Sequence, residues 1–173
     1  MNKIKQIIRE CLNEEKNNTN LTLYHGSNDN KEFKRFDDYQ FYTVNDYIAC
    51  NYAENNGGLL YKVSVNNLNS LELKGNYYGM DKREPELYKF EYNLIKNLYG
   101  DDELNYWINR GFTPSPAYTF RGNWDPIIKW AKNNGFNSLK FRDESFDTFV
   151  KDDTYLIFDG NNIKILDVAE PNC

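Results

Sequence analysis

The sequence predicts a single α+β domain built on a mostly antiparallel sheet, and three observations support this fold class. First, 173 residues suffice for one hydrophobic core and are too few for two comfortable ones. Second, aromatic residues make up 16% of the chain, and aromatic side chains favour strands. Third, strand-like and helix-like apolar spacing follow one another without regular β–α–β alternation.

The N-terminal segment is set apart from this domain. Residues 3–15 place apolar side chains on one helical face, and the polar residues 16–20 are typical of a linker. The chain therefore divides into an amphipathic helix with its linker, 1–20, and a domain over 21–173. The helix either packs on its own domain or serves as a docking segment, because a short isolated helix is marginal in water.

Alternating apolar residues bounded by turn residues predict the strands of the first half of the domain, over 21–27, 40–44, 59–65 and 68–73. A helix is predicted over 46–58, where apolar residues have helical spacing and a glycine pair ends the pattern. Helical spacing returns within 76–123, which we interpret as a helical insertion in the sheet domain.

In the second half, a helix is predicted over 124–136, with Asp125 as N-cap, Pro126 at the first helical position and Gly135 as C-cap. Strands are predicted over 137–143, 154–159 and, after a turn, to residue 167, with a loop over 143–153. We expect these strands to form two packed sheets with a cleft between them.

Composition and charge narrow the classes of function. The net charge is −5 and no long basic run is present, so a protein partner is favoured over nucleic acid. The three cysteines, Cys11, Cys50 and Cys173, resemble neither a metal site nor a disulfide framework, which predicts a reducing, cytoplasmic setting. No apolar stretch reaches membrane-spanning length, so we expect no membrane association. Nothing in the sequence indicates a metal or an oligomeric state.

The single histidine ends the first predicted strand in the run His25-Gly26-Ser27. A glycine lets a ligand approach the backbone, and the flanking histidine and serine supply hydrogen-bonding groups. A structural or solvated histidine is the commoner role of such a residue, so the run needs support from other motifs.

That support comes from the order of five motifs, namely YHGS (24–27), FYT (41–43), ACNYA (49–53), WAKNNGFNSLKF (130–141) and TYLIFDGNNIKI (154–165). The series resembles ADP-ribosyltransferases of the diphtheria-toxin and poly(ADP-ribose) polymerase type, and is similar to small versions in phages and mobile elements. The resemblance covers about residues 21–167 apart from the insertion. It implies a split β-sheet core whose cleft binds NAD as substrate.

The resemblance also implies roles for individual residues. His25 would hydrogen-bond a ribose of NAD, the Gly26 backbone would hold the nicotinamide carboxamide, and Tyr42 and Tyr52 would stack on the nicotinamide ring. The neighbouring Ser27 and Thr43 complete the implied NAD-binding set. The alternative is that both tyrosines are ordinary core or rim residues.

The sequence departs from the family at the last motif. The efficient polymerases carry a glutamate there that stabilises the transition state, and this chain has Thr154, whose neutral hydroxyl cannot do the same. The adjoining Asp153 is our candidate replacement, so the implied catalytic set is His25, Tyr42, Thr154 and Asp153. Asp152, Glu144 and Asp147 are further acidic candidates nearby.

The resemblance thus implies a mono-ADP-ribosyltransferase that releases nicotinamide and modifies a macromolecule, a protein more than a nucleic acid. A phage-encoded effector of this kind would act in the host cytoplasm. The alternatives are an inactive NAD- or ADP-ribose-binding module and a virion-associated interaction protein that acts through its N-terminal helix. An RNA 2′-phosphotransferase is disfavoured, because the arginines form no evident cluster.

Overall fold

The computed structural model describes residues 20–36, 38–73, 89–102, 105, 123–144 and 151–173. The predicted N-terminal helix and most of the predicted insertion lie outside these residues.

The described residues form an α+β fold, which confirms the predicted class. The strands are β1 (Leu21–Gly26), β2 (Gln40–Thr43), β3 (Leu60–Val65), β4 (Ser70–Glu72), β5 (Ser138–Glu144), β6 (Lys151–Ile157) and β7 (Ile163–Ala169). The helices are α1 (Asp46–Asn56), α2 (Lys89–Tyr99) and α3 (Asp125–Asn133), and a 3-10 turn over Gly160–Asn162 precedes β7.

The strands form one sheet in the order β4-β5-β6-β2-β1-β3-β7, in place of the two sheets expected. All neighbouring strands are antiparallel except β4 and β5. The sheet is held weakly at its centre, because β1 and β2 share the single pair Tyr24–Thr43. By contrast, β1 shares six pairs with β3 and β2 shares four with β6. We call this weak point the central division.

Strand alternation gives the sheet two faces with separate cores. On the helix face, side chains of β5 and β6 pack with α2 and α3, among them Leu139, Phe141, Leu156, Ile95 and Ile127. The opposite face buries side chains of β1, β2, β3 and β6, among them Leu23, Tyr42, Tyr61, Val63, Tyr155 and Ile157. Since this second core draws on strands from both sides of the central division, it holds the two halves together.

Helix α1 packs directly on the backbone of β1 at Gly26. A Cβ atom at this position would overlap the carbonyl oxygen of Ala49 and lie 2.9 Å from the amide nitrogen of Ala53. Because side chains alternate along a strand, Gly26 faces the side of the sheet opposite to Leu23 and His25. That side is the helix face, so α1 packs there. Asn45 caps the helix by accepting from the amides of Tyr47 and Ile48.

Two local predictions in the second half are wrong. Asp125 is not the N-cap of α3, because it lies inside the first turn and Trp124 precedes it without a side-chain capping bond. The predicted loop over 143–153 is shorter, because Lys151 and the two residues after it belong to β6 and pair with β5. Sheet pairing across the hairpin outweighs the polar character of this segment.

The prediction that the cysteines form no disulfide is also wrong. Cys50 in α1 is bonded to Cys173, 123 residues away in sequence, with 5.9 Å between the Cα atoms. Only the fold brings two residues so far apart together, so their spacing carried no signal. This bond removes the basis for expecting a reducing compartment, since disulfides persist in oxidising environments. Among the described residues, no helix is long and apolar enough to cross a membrane.

Candidate functional site

A cavity of about 410 Å³ opens on the helix face at the central division. This volume lies within the range of roughly 300–1,000 Å³ that is usual for small-molecule sites. Its wall comprises the end of β1 with the two residues after it, all of β2, three residues of α1 (Ile48, Ala49 and Tyr52), and Trp124, Phe141 and Thr154. The site therefore forms where neighbouring strands of the sheet share the fewest residue pairs.

Two aromatic rings in this wall are open to solvent. The Phe41 side chain is 38% exposed and that of Tyr52 is 53% exposed. Phe41 packs edge-on against Trp124, with 5.3 Å between the ring centroids, and lies 6.3 Å from Phe141. Since Trp124 and Phe141 are themselves buried and stacked, they support Phe41 from behind.

The ring of Tyr42, by contrast, lies on the opposite face of the sheet. It is 1% exposed and packs with the rings of His25 and Phe36 at centroid distances of 5.3 and 5.8 Å. A ligand cannot stack on this ring in the present conformation. Of the two tyrosines assigned to stacking, only Tyr52 presents its ring to the cavity. Phe41, which sequence reasoning passed over, takes the other position because strand alternation turns it to the helix face.

His25 joins the two strands across the central division. Its Nδ1 atom donates a hydrogen bond to the carbonyl oxygen of Phe41 over 2.7 Å, since a carbonyl can only accept. Burial lowers the pKa of His25, and the bond to Phe41 opposes that shift. The neutral ring therefore keeps Nε2 as an acceptor and holds β1 to β2 where their backbones share one pair.

Because the pKa of His25 is lower in the folded protein, the free energy of unfolding should depend on pH. The folded pKa lies below the unfolded value of about 6.5, so the contribution of His25 to stability is fully present above about pH 6.5 and is lost as pH falls below it. A His25→Asn variant keeps a donor for Phe41 and does not titrate. The urea midpoint of the wild type should fall more steeply than that of the variant between about pH 7 and about pH 5. Parallel curves would show that His25 does not titrate differently on folding.

Three further predicted binding residues line the cavity but make their contacts within the fold, namely Gly26, Ser27 and Thr43. Ser27 Oγ donates to the carbonyl of Asp29 over 2.7 Å and accepts from the amide of Leu59 over 2.8 Å. Thr43 Oγ1 accepts from the amide of Asn45. Gly26 serves the contact with α1. The absence of a side chain at Gly26 lets helix α1 approach the backbone of β1, whereas the sequence indicated that it would let a ligand approach.

Thr154 and Asp153, adjacent in β6, point to opposite faces. Thr154 lies opposite Thr43 in the cavity wall and is 3% exposed. Asp153 lies outside the wall, and its carboxylate forms an ion pair with Lys140 Nζ over 2.8 Å. The structure therefore brings Thr154 to the candidate site and leaves Asp153 away from it.

The other acidic candidates do not reach the wall. Asp152 shares the face of Thr154, but its carboxylate accepts from Asn45 Nδ2 over 3.4 Å and lies outside the lining. Asp147 lies outside the described residues, as does the side chain of Glu144. Among the described lining residues none is Asp, Glu, Lys or Arg. Nor do the described residues include a group of three His, Cys, Asp or Glu side chains placed to hold a metal ion.

The chain matches no protein-family model, no curated protein and no solved structure. The described part of the wall carries open aromatic rings and a few hydroxyl and amide groups but no charged side chain, which suits a flat ligand with polar substituents.

Proposed function

We propose that this chain is a mono-ADP-ribosyltransferase that binds NAD in the cavity at the central division and transfers ADP-ribose to a protein. One observation carries the proposal: an aromatic-lined cavity, with no charged side chain among its described lining residues, lies between the His25-Gly26 end of β1 and the Phe-Tyr-Thr run of β2. These are the motifs for which the resemblance implies an NAD cleft.

The wall chemistry supports the nicotinamide end of NAD as the occupant. Nicotinamide in NAD is a flat pyridinium cation, and aromatic faces attract flat cations. Phe41 and Tyr52 offer such faces without a neighbouring Lys or Arg among the described lining residues. Asn28 also lines the cavity, and its side chain carries an amide group of the kind that pairs with a carboxamide.

The proposed reaction breaks the bond between the nicotinamide nitrogen and C1′ of its ribose. Nicotinamide leaves with the bonding electron pair and becomes neutral, and a nucleophile of the acceptor protein bonds to C1′ and loses its proton. Stacking between aromatic faces would orient the nicotinamide ring for this reaction.

A second candidate is NAD binding without turnover, and a specific observation favours it. Asp153 is paired with Lys140, and no carboxylate stands among the described residues of the wall. A cationic C1′ would therefore lack the electrostatic stabilisation that usually supplies much of catalysis.

Tyr52 allows a test that leaves the fold intact. Tyr52→Ala should reduce NAD binding and label transfer about tenfold, as expected for the loss of one stacking ring. Tyr47→Ala is the matched control, because Tyr47 lies on the same helix, is 37% exposed and does not line the cavity. Replacing His25 or Tyr42 by alanine would be less informative, because both rings are buried.

The measurement combines adenylate-labelled NAD with a cell lysate and follows label on protein, free nicotinamide and the melting temperature. Label on protein that depends on Tyr52 and not on Tyr47 supports the transferase. A melting temperature raised by NAD without nicotinamide release supports the binding module. No effect of NAD on any readout contradicts both candidates.

A further inference from the structure

Helix α1, which forms one wall of the cavity, is held by little hydrophobic packing. Its buried side chains are Ala49, Cys50 and Ala53. Among the residues that the structure describes, neither of the two cores includes a side chain of this helix, whereas α2 and α3 place leucine and isoleucine side chains in the core of the helix face. Alanine buries little apolar area, so packing fixes α1 less firmly than it fixes the other two helices.

The Cys50–Cys173 disulfide provides α1 with a second anchor. It joins the middle of the helix to the segment that follows β7, a strand that pairs with β3. Ala49 and Tyr52, on either side of Cys50 in the sequence, line the cavity. The covalent bond therefore connects one wall of the cavity to the far side of the sheet.

The two cysteines of this bond differ in exposure. Cys173 is exposed, whereas Cys50 is 6% exposed. A thiolate from solution can therefore approach the bond at Cys173, and thiolate attack is how disulfides are reduced. Neither cysteine packs in the described core of either face, so reduction can release α1 and leave both cores in place.

We infer that the Cys50–Cys173 disulfide is a redox latch on the α1 wall of the cavity. The oxidised latch holds Tyr52 in position for the ligand, and reduction lets α1 move and weakens binding. The choice of NAD as the ligand rests on the proposed function. Because disulfides persist in oxidising environments, binding should be strongest there and weaker in a reducing one.

The reductant is a small-molecule thiol, and two equivalents of it balance the reaction. The first thiolate bonds to Cys173 Sγ, the disulfide breaks, and its electron pair goes to Cys50 Sγ, which takes up a proton. The second thiolate attacks the sulfur of the first in this mixed disulfide and releases Cys173, which also takes up a proton. The small thiol is thereby oxidised to its own disulfide, and both cysteines are reduced to thiols.

The test uses the Cys11→Ser chain, in which Cys50 and Cys173 are the only cysteines. Its NAD affinity is measured by titration calorimetry in the oxidised state, after reduction with dithiothreitol, and after reoxidation. Reduction should weaken binding about tenfold, as expected if the freed helix occupies its binding position for about a tenth of the time. Reoxidation should restore the affinity. Circular dichroism identifies a temperature at which both states are folded.

The matched control replaces both Cys50 and Cys173 by alanine in the same chain. This variant should bind NAD as weakly as the reduced chain does and should not respond to dithiothreitol. A response in this variant equal to that of the parent chain would contradict the inference, because the reductant would then act elsewhere.

Hydrogen exchange gives a measurement that does not require NAD. Without ligand, reduction should accelerate amide exchange in α1 by a larger factor than in α3, because Ile127 and Ile128 anchor α3 in the core. Equal acceleration in the two helices would overturn the inference, since the bond would then stabilise the whole fold and not one helix.

Three further outcomes separate the latch from the proposed function. Equal NAD affinity of the oxidised and reduced chains overturns the latch and leaves the proposed function standing. A reduced chain that is unfolded at every temperature also overturns the latch, because the bond would then be a requirement of folding. Failure of the oxidised chain to bind NAD contradicts the proposed function, and the exchange of α1 relative to α3 then decides whether the helix is latched.

Discussion

Loss of the Cys50–Cys173 disulfide should lower the free energy of unfolding by about 5 kcal/mol. The bond closes a loop spanning 123 residues of sequence, so it removes many conformations from the unfolded chain. In the Cys50→Ser variant, and in the wild type under reducing conditions, the urea midpoint should fall well below that of the oxidised protein. Equilibrium urea unfolding followed by circular dichroism measures this difference.

Cys11→Ser is the matched control, because Cys11 takes no part in this disulfide. It should change the stability little, and the oxidised wild type should show one reactive thiol after unfolding, since two of its three cysteines are bonded. Three reactive thiols, or a reduced protein as stable as the oxidised one, would contradict the prediction. A second consequence concerns the site: Cys50 belongs to the helix that carries Tyr52, so the disulfide fixes the C-terminal end of the chain to the wall of the cavity.

Replacing Gly26 by alanine should lower the free energy of unfolding by about 3 kcal/mol or more. The new methyl group would overlap the backbone carbonyl of Ala49, and a backbone atom inside a helix cannot move aside as a flexible side chain can. Helix α1 must therefore shift away from β1, and the Tyr52 wall of the cavity shifts with it. Chemical denaturation measures the stability, and NAD titration of the folded fraction should show weaker binding.

Gly100→Ala provides the comparison. This glycine has φ +89° and open space around it, so alanine there costs only the backbone strain of about 1–2 kcal/mol. A Gly26→Ala variant no less stable than Gly100→Ala would show that α1 does not pack on the β1 backbone as described.

Local patterns predicted most of the secondary structure. The runs around His25, Tyr42 and Tyr155 became strands β1, β2 and β6, and the spacing over 46–58 became helix α1. These segments could be predicted because alternation and helical periodicity are properties of neighbouring residues. Pro126 likewise marks the first turn of α3.

The side of the sheet that each aromatic residue occupies could not be predicted in this way. In the run Phe41-Tyr42-Thr43, alternation states only that neighbours point to opposite faces. Which face holds the cavity depends on where α1 and α3 pack. The resemblance therefore implied stacking by Tyr42 and Tyr52, whereas the structure buries the ring of Tyr42 and leaves that of Phe41 partly exposed.

The ion pair of Asp153 and the disulfide of Cys50 likewise could not be predicted from neighbouring residues. Asp153 stood next to Thr154 in the sequence and was a reasonable substitute acid, but one step along a strand turns it to the other face, where Lys140 neutralises it. Cys50 and Cys173 carried no recognisable spacing, because their partnership depends on the path of the whole chain.

The sequence by itself determined the fold class, the order of strands and helices, and the run of motifs that includes His25 and Thr154, since these depend on residues close together in the chain. Only the tertiary structure decided that the strands join in one sheet with a weak centre, that Phe41 and Tyr52 face the cavity, and that Cys50 bonds to Cys173. The physical reason is that these features arise from contacts between residues distant in sequence. Such contacts are fixed by how helices cover a sheet and not by any local pattern.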